Sequence, residues 1–310
     1  MMRSAVTIKN LVKDYHGMNA VNHLNLNVPE GSIYGFLGPN GAGKTTTLKM
    51  IIGMTEPTAG EIEIFGNKLT FGSDQYRDQI GFLPDVPGFY DWMNAKEFLS
   101  FSGSLYHIEP SQLASRIKEL LEIVGLTKNA KKKIGAYSRG MKQRLGIAQA
   151  LINNPKIILL DEPVSALDPM GRKEVMDIIA SLAGKVTVFF STHILADVER
   201  VCDRVVIIKD GVALLEDTIE HIRQLSISRT IEIDFDQMDA TYFQTLVKDE
   251  PWVDSIHIDG TKALIQTNDL DQARLEMYAL IHRERLMIRK FAIVESTLED
   301  IFFKVVNENV

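Results

Sequence analysis

The sequence predicts an α/β fold built on a parallel sheet, followed by a smaller α+β module. Three observations lead there. First, the apolar runs Ile157 to Leu160, Val186 to Phe190 and Val205 to Ile208 alternate with segments of helical periodicity. Uninterrupted apolar strands belong to parallel sheets covered on both faces. Second, a glycine loop from Gly38 to Thr45 lies between an apolar strand and a helical stretch, the setting in which such loops cradle phosphate. Third, the chain beyond Ser228 changes to short strands and helices in the order β-α-β-β-α-β, which suits a ferredoxin-like module.

The elements follow in order. Residues 4 to 37 alternate apolar and polar in short runs punctuated by Gly17 and by Pro29 to Gly31, and read as strands with turns. Thr45 to Ile52 has helical periodicity, and Glu61 to Phe71 reads as a hairpin between glycines. From Ala95 to Val124, Phe98, Phe101, Leu105, Ile117, Leu120, Leu121 and Val124 recur at three and four spacing, a helical face. A further helix is expected over Ser138 to Asn153. After a change of character at 217 to 228 come strand Thr230–Phe235, helix Ala240–Lys248, strands Val253–Ile258 and Lys262–Gln266 around Gly260, helix Leu270–Arg283 and strand Met287–Val294. A last helix, Ser296 to Val306, opens with the capping pattern Ser296 and Glu299. The expected domains are therefore residues 1–220, with a helical part at about 90–155, and residues 228–310.

Composition sets bounds on function. A length of 310 residues fits two domains, and 45% apolar with 24% charged residues is ordinary for a globular chain. The net charge of -7 disfavours a nucleic-acid-binding face. The local positive run Lys128, Lys131, Lys132 and Lys133 reads as a solvated loop. Cys202 is the single cysteine, so no internal disulfide forms, and it reads as a small buried hydrophobe. No secretion signal or membrane-length apolar stretch is seen, so the expected location is cytosolic. Glu232, Asp234, Asp236 and Asp239 form an acidic cluster, read as solvated surface or strand-edge protection.

The chemistry gathers at a few places. Gly38, Pro39, Asn40, Gly41, Ala42, Gly43, Lys44 and Thr45 fit the phosphate-loop pattern without gaps, with Thr46 next in the helix. Glycines let backbone N–H groups approach the phosphates, and the helix N-terminus favours the anion. Lys44 brings positive charge to the terminal phosphates, and Thr45 offers a hydroxyl to Mg²⁺. The strand Ile157 to Leu160 ends in Asp161 and Glu162, carboxylates at the strand edge where open α/β sheets bind ligands. Asp161 is expected in the Mg²⁺ shell and Glu162 as general base on water. The plainer alternative makes this acid the cap of a helix starting soon after Pro163. His193, straight after another apolar strand, is expected to sense the γ-phosphate.

The run Tyr137 to Arg144 resembles the signature of ABC ATPases. Ser165 to Asp168 is similar to their D-loop, His193 to their switch histidine, Tyr15 to their adenine-stacking aromatic, and Ile80 to Asp85 to their Q-loop region. The resemblance spans residues 5 to 215. It implies a P-loop ABC ATPase core, a RecA-like parallel sheet with an antiparallel β subdomain and a helical subdomain. It implies ATP and Mg²⁺, with Thr45, Asp85 and Asp161 toward the metal. Ser138, Arg139, Gly140 and Asp168 would contact nucleotide in a head-to-tail dimer of this chain or with a related cassette. The membrane-spanning permease would be another chain, holding this one at the inner face of the membrane, with Phe89, Tyr90 and Trp92 either as a socket for it or as packing within the helical subdomain. No nucleic acid is implied. The signature departs from Leu-Ser-Gly-Gly-Gln at Tyr137, Arg139 and Met141, and Asp85 stands where most members have glutamine. The single cassette and C-terminal module are similar to exporters of drugs, antibiotics, lantibiotics and sodium. A soluble ATPase acting on nucleic acid or ribosomes, and a regulatory module without turnover, are the competing readings.

Overall fold

The structure, a computed structural model, describes residues 3–225, 229–236 and 240–294. They fall into two compact units that divide between Ile219 and Glu220. The first opens with β1 (Ser4–Tyr15) and β2 (Met18–Pro29), then β3 (Ile33–Leu37), the phosphate loop and α1 (Lys44–Ile51). Next come β4 (Ala59–Ile64), β5 (Asn67–Lys68) and β6 (Ile80–Leu83), and the helices α2 (Ala95–Ser104), α3 (Pro110–Ile123) and α4 (Arg139–Ala150). The unit continues with β7 (Ile157–Leu160), α5 (Pro169–Ser181), β8 (Thr187–Thr192), α6 (Leu195–Val201), β9 (Arg204–Lys209) and β10 (Val212–Thr218).

Two sheets enclose the main core. One has the order β2-β1-β4-β5 and is antiparallel throughout. The other runs β10-β9-β3-β8-β7-β6, parallel from β9 to β6 with β10 antiparallel at the edge. Every residue of β3, β7 and β8 is buried, as an apolar strand requires when both faces are covered. Leu48, Met50 and Ile51 of α1 pack between the sheets against Ile8, Phe36 and Phe189. The ring of Phe189 lies 5.4 Å from Tyr34 and 5.2 Å from Phe36. Because β3, β7 and β8 are neighbours and parallel, their C-terminal ends emerge side by side, and the site forms there.

Two sequence expectations need correction. The helical pattern over Ala95 to Val124 is two helices, broken at Leu105 to Glu109. His107 takes a left-handed φ of 55°, and Pro110, without an N–H, starts α3 as its first residue. Asn94 and Glu97 close a capping box at the start of α2. The second correction concerns the acid after β7. No helix starts soon after Pro163; α5 begins at Pro169 and is capped by the Asp168 carboxylate, which accepts from the Gly171 N–H. Glu162 therefore caps nothing.

The second unit contains β11 (Thr230–Phe235), α8 (Ala240–Val247), β12 (Val253–Asp259), β13 (Lys262–Thr267), α9 (Leu270–Arg283) and β14 (Ile288–Val294), after α7 (Ile219–Leu225) at the boundary. Its sheet order is β12-β13-β11-β14, all antiparallel, the ferredoxin-like arrangement. Ile231, Ile233, Phe235, Phe243, Trp252 and Met277 form a separate core. The acidic residues of β11 are partnered: Glu232 by Lys290, Asp234 by Thr261, and Asp236 by Arg289. Asp239 and the helix expected over 296 to 306 lie outside the described residues. No helix among the described residues is long and apolar enough to cross a membrane.

Candidate active site at the C-terminal edge of the parallel sheet

The phosphate loop leaves β3 at Gly38 and turns into α1 at Lys44. Two of its glycines are forced by close approach. A Cβ at Gly38 would stand 2.5 Å from the Ile208 carbonyl oxygen, and one at Gly43 2.3 Å from that of Ala20. Gly43 also takes φ 99°, a left-handed backbone that favours glycine. The Gly38 N–H donates to the Thr192 carbonyl at 3.2 Å, which ties the start of the loop to the end of β8. Pro39, Asn40 and Gly41 are exposed at the crest, and Ala42 is buried beneath them.

Lys44 is buried, and its ammonium donates to the carbonyls of Gly38 at 2.7 Å and Pro39 at 3.1 Å. It also lies 3.1 Å from Glu162 Oε1 as an ion pair, without an aligned hydrogen bond. Glu162 reaches Lys44 because it takes a left-handed φ of 46° directly after β7, which turns it away from the strand direction of Asp161. A non-glycine residue held there stores strain of order 1–3 kcal/mol, a mark of functional turns. Its second oxygen, Oε2, lies 3.0 Å from His193 Nδ1.

Asp161 is 2% exposed, and both of its oxygens are engaged. The Thr45 hydroxyl donates to Oδ2 at 2.8 Å and the Ser191 hydroxyl to Oδ1 at 2.7 Å. Ser191 also accepts the Glu162 N–H at 2.9 Å. Ser191 is the site residue to which the sequence reading gave no role. Its signal is strand adjacency: Leu160 pairs with Phe190, so the residue after each faces the other, but strand order is not written in the sequence.

The structure thus brings Lys44, Thr45, Asp161, Glu162 and His193 into one connected cluster. Thr46 sits half-buried beside them in α1. The other expected residues lie elsewhere. Ser138 caps α4, its hydroxyl accepting the Met141 N–H at 3.2 Å, and Arg139 and Gly140 form the first turn. Among the described residues, no hydrogen bond or ion pair of Ser138, Arg139, Gly140 or Asp168 reaches the Lys44–Glu162 cluster. Tyr15 is 47% exposed at the end of β1, with the Lys13 ammonium 5.0 Å over its ring. Asp85 follows β6; its Oδ1 is buried without a partner, and its carbonyl lies 3.5 Å from Gln143 Nε2.

The residues near Asp161 suit a hard cation. They are the Thr45 hydroxyl and the Asp161 carboxylate it pairs with. Among the described residues no group of three or more His, Cys, Asp or Glu makes a metal site. A poor protein donor set matches Mg²⁺, which keeps water and phosphate oxygens as its other ligands.

Known proteins resemble this chain in sequence and fold. The ABC transporter family model matches residues 21–165. An uncharacterized ABC transporter ATP-binding protein of Bacillus subtilis, YxlF, is 40% identical over 303 residues, covering 97% of this chain and 99% of the relative. The bacitracin transport ATP-binding protein BcrA of Bacillus licheniformis is 44% identical over 225 residues, 72% of each chain. Among solved structures, the ATP-binding cassette MJ0796, a dimer in a post-hydrolysis state with ADP and Pi, is 31% identical. It covers 69% of this chain and 98% of its own, with a TM-score of 0.62. A phosphate loop closed on a strand-edge acid, together with likeness over almost the full length of an ABC relative, places this chain among the ATP-binding, ATP-hydrolysing subunits of ABC transporters.

Proposed function

We propose that two copies of this chain close head to tail around two MgATP molecules, and that hydrolysis parts them to drive an export permease carried on another chain. One observation carries the pairing. Lys44, Asp161 and Glu162 are assembled and mostly buried within one chain, whereas Ser138, Arg139 and Asp168 are exposed and make no bond to them. Ser138 sits at the start of α4, where hydroxyl, N–H groups and helix dipole favour an anion, whereas Asp168 fills the start of α5 with its own carboxylate. A γ-phosphate presented by a second copy fits that need.

Within each site the chain's residues divide the work. Tyr15 offers an aromatic face to adenine. Residues Gly38 to Thr46 surround the phosphates, and Lys44 neutralises their charge. Mg²⁺, held by Thr45 and Asp161 with Asp85 nearby, would supply further neutralisation of the phosphate oxygens. Glu162 takes the proton of the attacking water, and His193 keeps its carboxylate aimed. Trapped with MgATP, the Glu162→Gln chain elutes as a pair in size-exclusion chromatography with light scattering. A chain that stays monomeric, alone and with its permease, defeats the proposal.

An aromatic-lined groove supports a permease contact. A cavity of about 960 Å³ opens between the end of α1 and α2, lined by Phe89, Tyr90, Phe98, Phe101, Leu105 and Tyr106 among others. Phe89 packs inward on Phe98 at 5.0 Å, while Tyr90 and Trp92 stay 47% and 66% exposed. Of the three socket aromatics, the last two remain available to a helix from the membrane chain. Normal complex assembly by the Tyr90→Ala, Trp92→Ala double variant would count against this socket. Export is favoured by the signature and module that resemble exporters; ATP-driven uptake from outside in vesicles would reverse the direction.

A further inference from the structure

Helix α5 stands between the signature helix α4 and the helix α6 that follows His193, and charged side chains fasten it to both. Toward α4, Glu174 meets Arg144 at 3.5 Å, and a Cβ on Gly140 would lie 3.6 Å from Gly171 Cα. Toward α6, Arg172 Nε donates to Asp197 Oδ1 at 2.7 Å, and Arg200 donates to Asp177 at 2.7 Å. Helix α6 is in turn seated on β3, the strand that feeds the phosphate loop. A Cβ at Gly35 would come within 2.9 Å of Cys202 Sγ and 3.3 Å of Val198.

The Arg172–Asp197 pair differs from the others. Arg200 and Asp177 are exposed, and such pairs hold little. Asp197 is 2% exposed, and its Oδ2 has no hydrogen-bond partner. Burial pushes its carboxyl above the usual carboxylate range, against the opposing pull of Arg172, Arg200 and His193. A buried charge with one oxygen idle is a poor source of stability compared with a packed apolar side chain. What it supplies is geometry, since a single charge-assisted bond fixes where α5 sits on α6. The two ends of the pair are telling. The Arg172 N–H closes on the Asp168 carbonyl at 2.9 Å, one turn from the exposed cap. Asp197 lies one turn beyond His193, its N–H on the Ile194 carbonyl at 3.2 Å.

We infer that Arg172 and Asp197 form a positioning pair that makes the alignment of His193 on Glu162 in one ATP site depend on how Ser138 and Asp168 seat against the other. The inference rests on the head-to-tail reading. In that dimer α5 joins the turn serving the partner's nucleotide to the helix that follows the chain's own histidine. Loss of the pair leaves both sites built but no longer in step.

The test uses the full chain with MgATP and the variants Arg172→Met, Asp197→Asn and Asp197→Glu. In the first two, kcat falls about tenfold with KM within about twofold, and the Hill coefficient for ATP drops from above 1 to about 1. Asp197→Glu, which keeps the charge, restores most of the rate and the cooperativity. Adding Asp197→Asn to the Glu162→Gln chain leaves ATP-driven pairing intact. Wild-type rate and cooperativity in both neutral variants would overturn the inference. So would a rate loss that vanishes on cooling below each variant's melting transition, because the pair is then only structural. Failure of Glu162→Gln alone to pair would remove the dimer reading and this inference with it. Failure appearing only when Asp197→Asn is added would overturn the positioning role alone.

Discussion

The two units of this chain are built from similar parts and treat polar groups in opposite ways. In the module from β11 to β14, charged side chains stay near the surface and find partners: Glu232 with Lys290, Asp236 with Arg289. Its buried Asp234 and Thr267 are both hydrogen-bonded, and its one buried polar atom without a partner among the described residues is the neutral Trp252 indole N–H. The cassette buries Lys44, Asp161, Asp197 and Gln143 and leaves Asp85, Gln143 and Asp197 each with an idle oxygen. Such departures cost stability and persist where geometry does chemistry. The comparison locates function in the cassette and reads the module as a fold that satisfies its own rules.

The comparison is breakable in three places. The largest effect is at Glu162. Glu162→Gln keeps the shape and removes the base, so kcat falls by about 10²–10⁴ while ATP still binds; steady-state turnover beside equilibrium binding measures both. Turnover at the wild-type rate would remove Glu162 as the base. Next is the module core. Phe243 is fully buried, 5.0 Å from Phe235, and Phe243→Ala costs about 3–5 kcal/mol. If the units are as separate as their cores, calorimetry shows one transition moved down while ATP affinity of the cassette holds. A parallel loss of ATP affinity would erase the contrast.

The smallest effect is at Asp197 and depends on pH. Its carboxyl is raised in the fold by burial, so folding favours its protonated form. The favourable contribution is full below the unfolded value near 3.9 and is lost as pH rises through the higher folded value. The melting temperature of Asp197→Asn relative to wild type therefore climbs with pH across that window. A difference independent of pH would show that Asp197 titrates alike in both states.

After these tests it is worth asking what was legible in advance. The phosphate loop, Asp161-Glu162 and the order of the C-terminal elements are local patterns, and local patterns are what a sequence displays. The break before Pro110 was hidden because apolar residues at three and four spacing recur on both sides of it, with Phe98 and Leu121 both buried. Ser191 and the Arg172–Asp197 pair depend on which strands and helices become neighbours, and nothing near either residue in the chain announces it. The three socket aromatics are alike in sequence, and only packing separates Phe89 from Tyr90 and Trp92.

The embrace of Lys44 and Glu162 has one more meaning. The Glu162 carboxylate is engaged on both oxygens, by the Lys44 ammonium on one and the His193 imidazole on the other. On the proposed mechanism, a phosphate seated in the loop would compete for the same ammonium and loosen one oxygen of the acid. The lysine that would grip a phosphate thus also restrains the acid beside it, and one ammonium links the two groups.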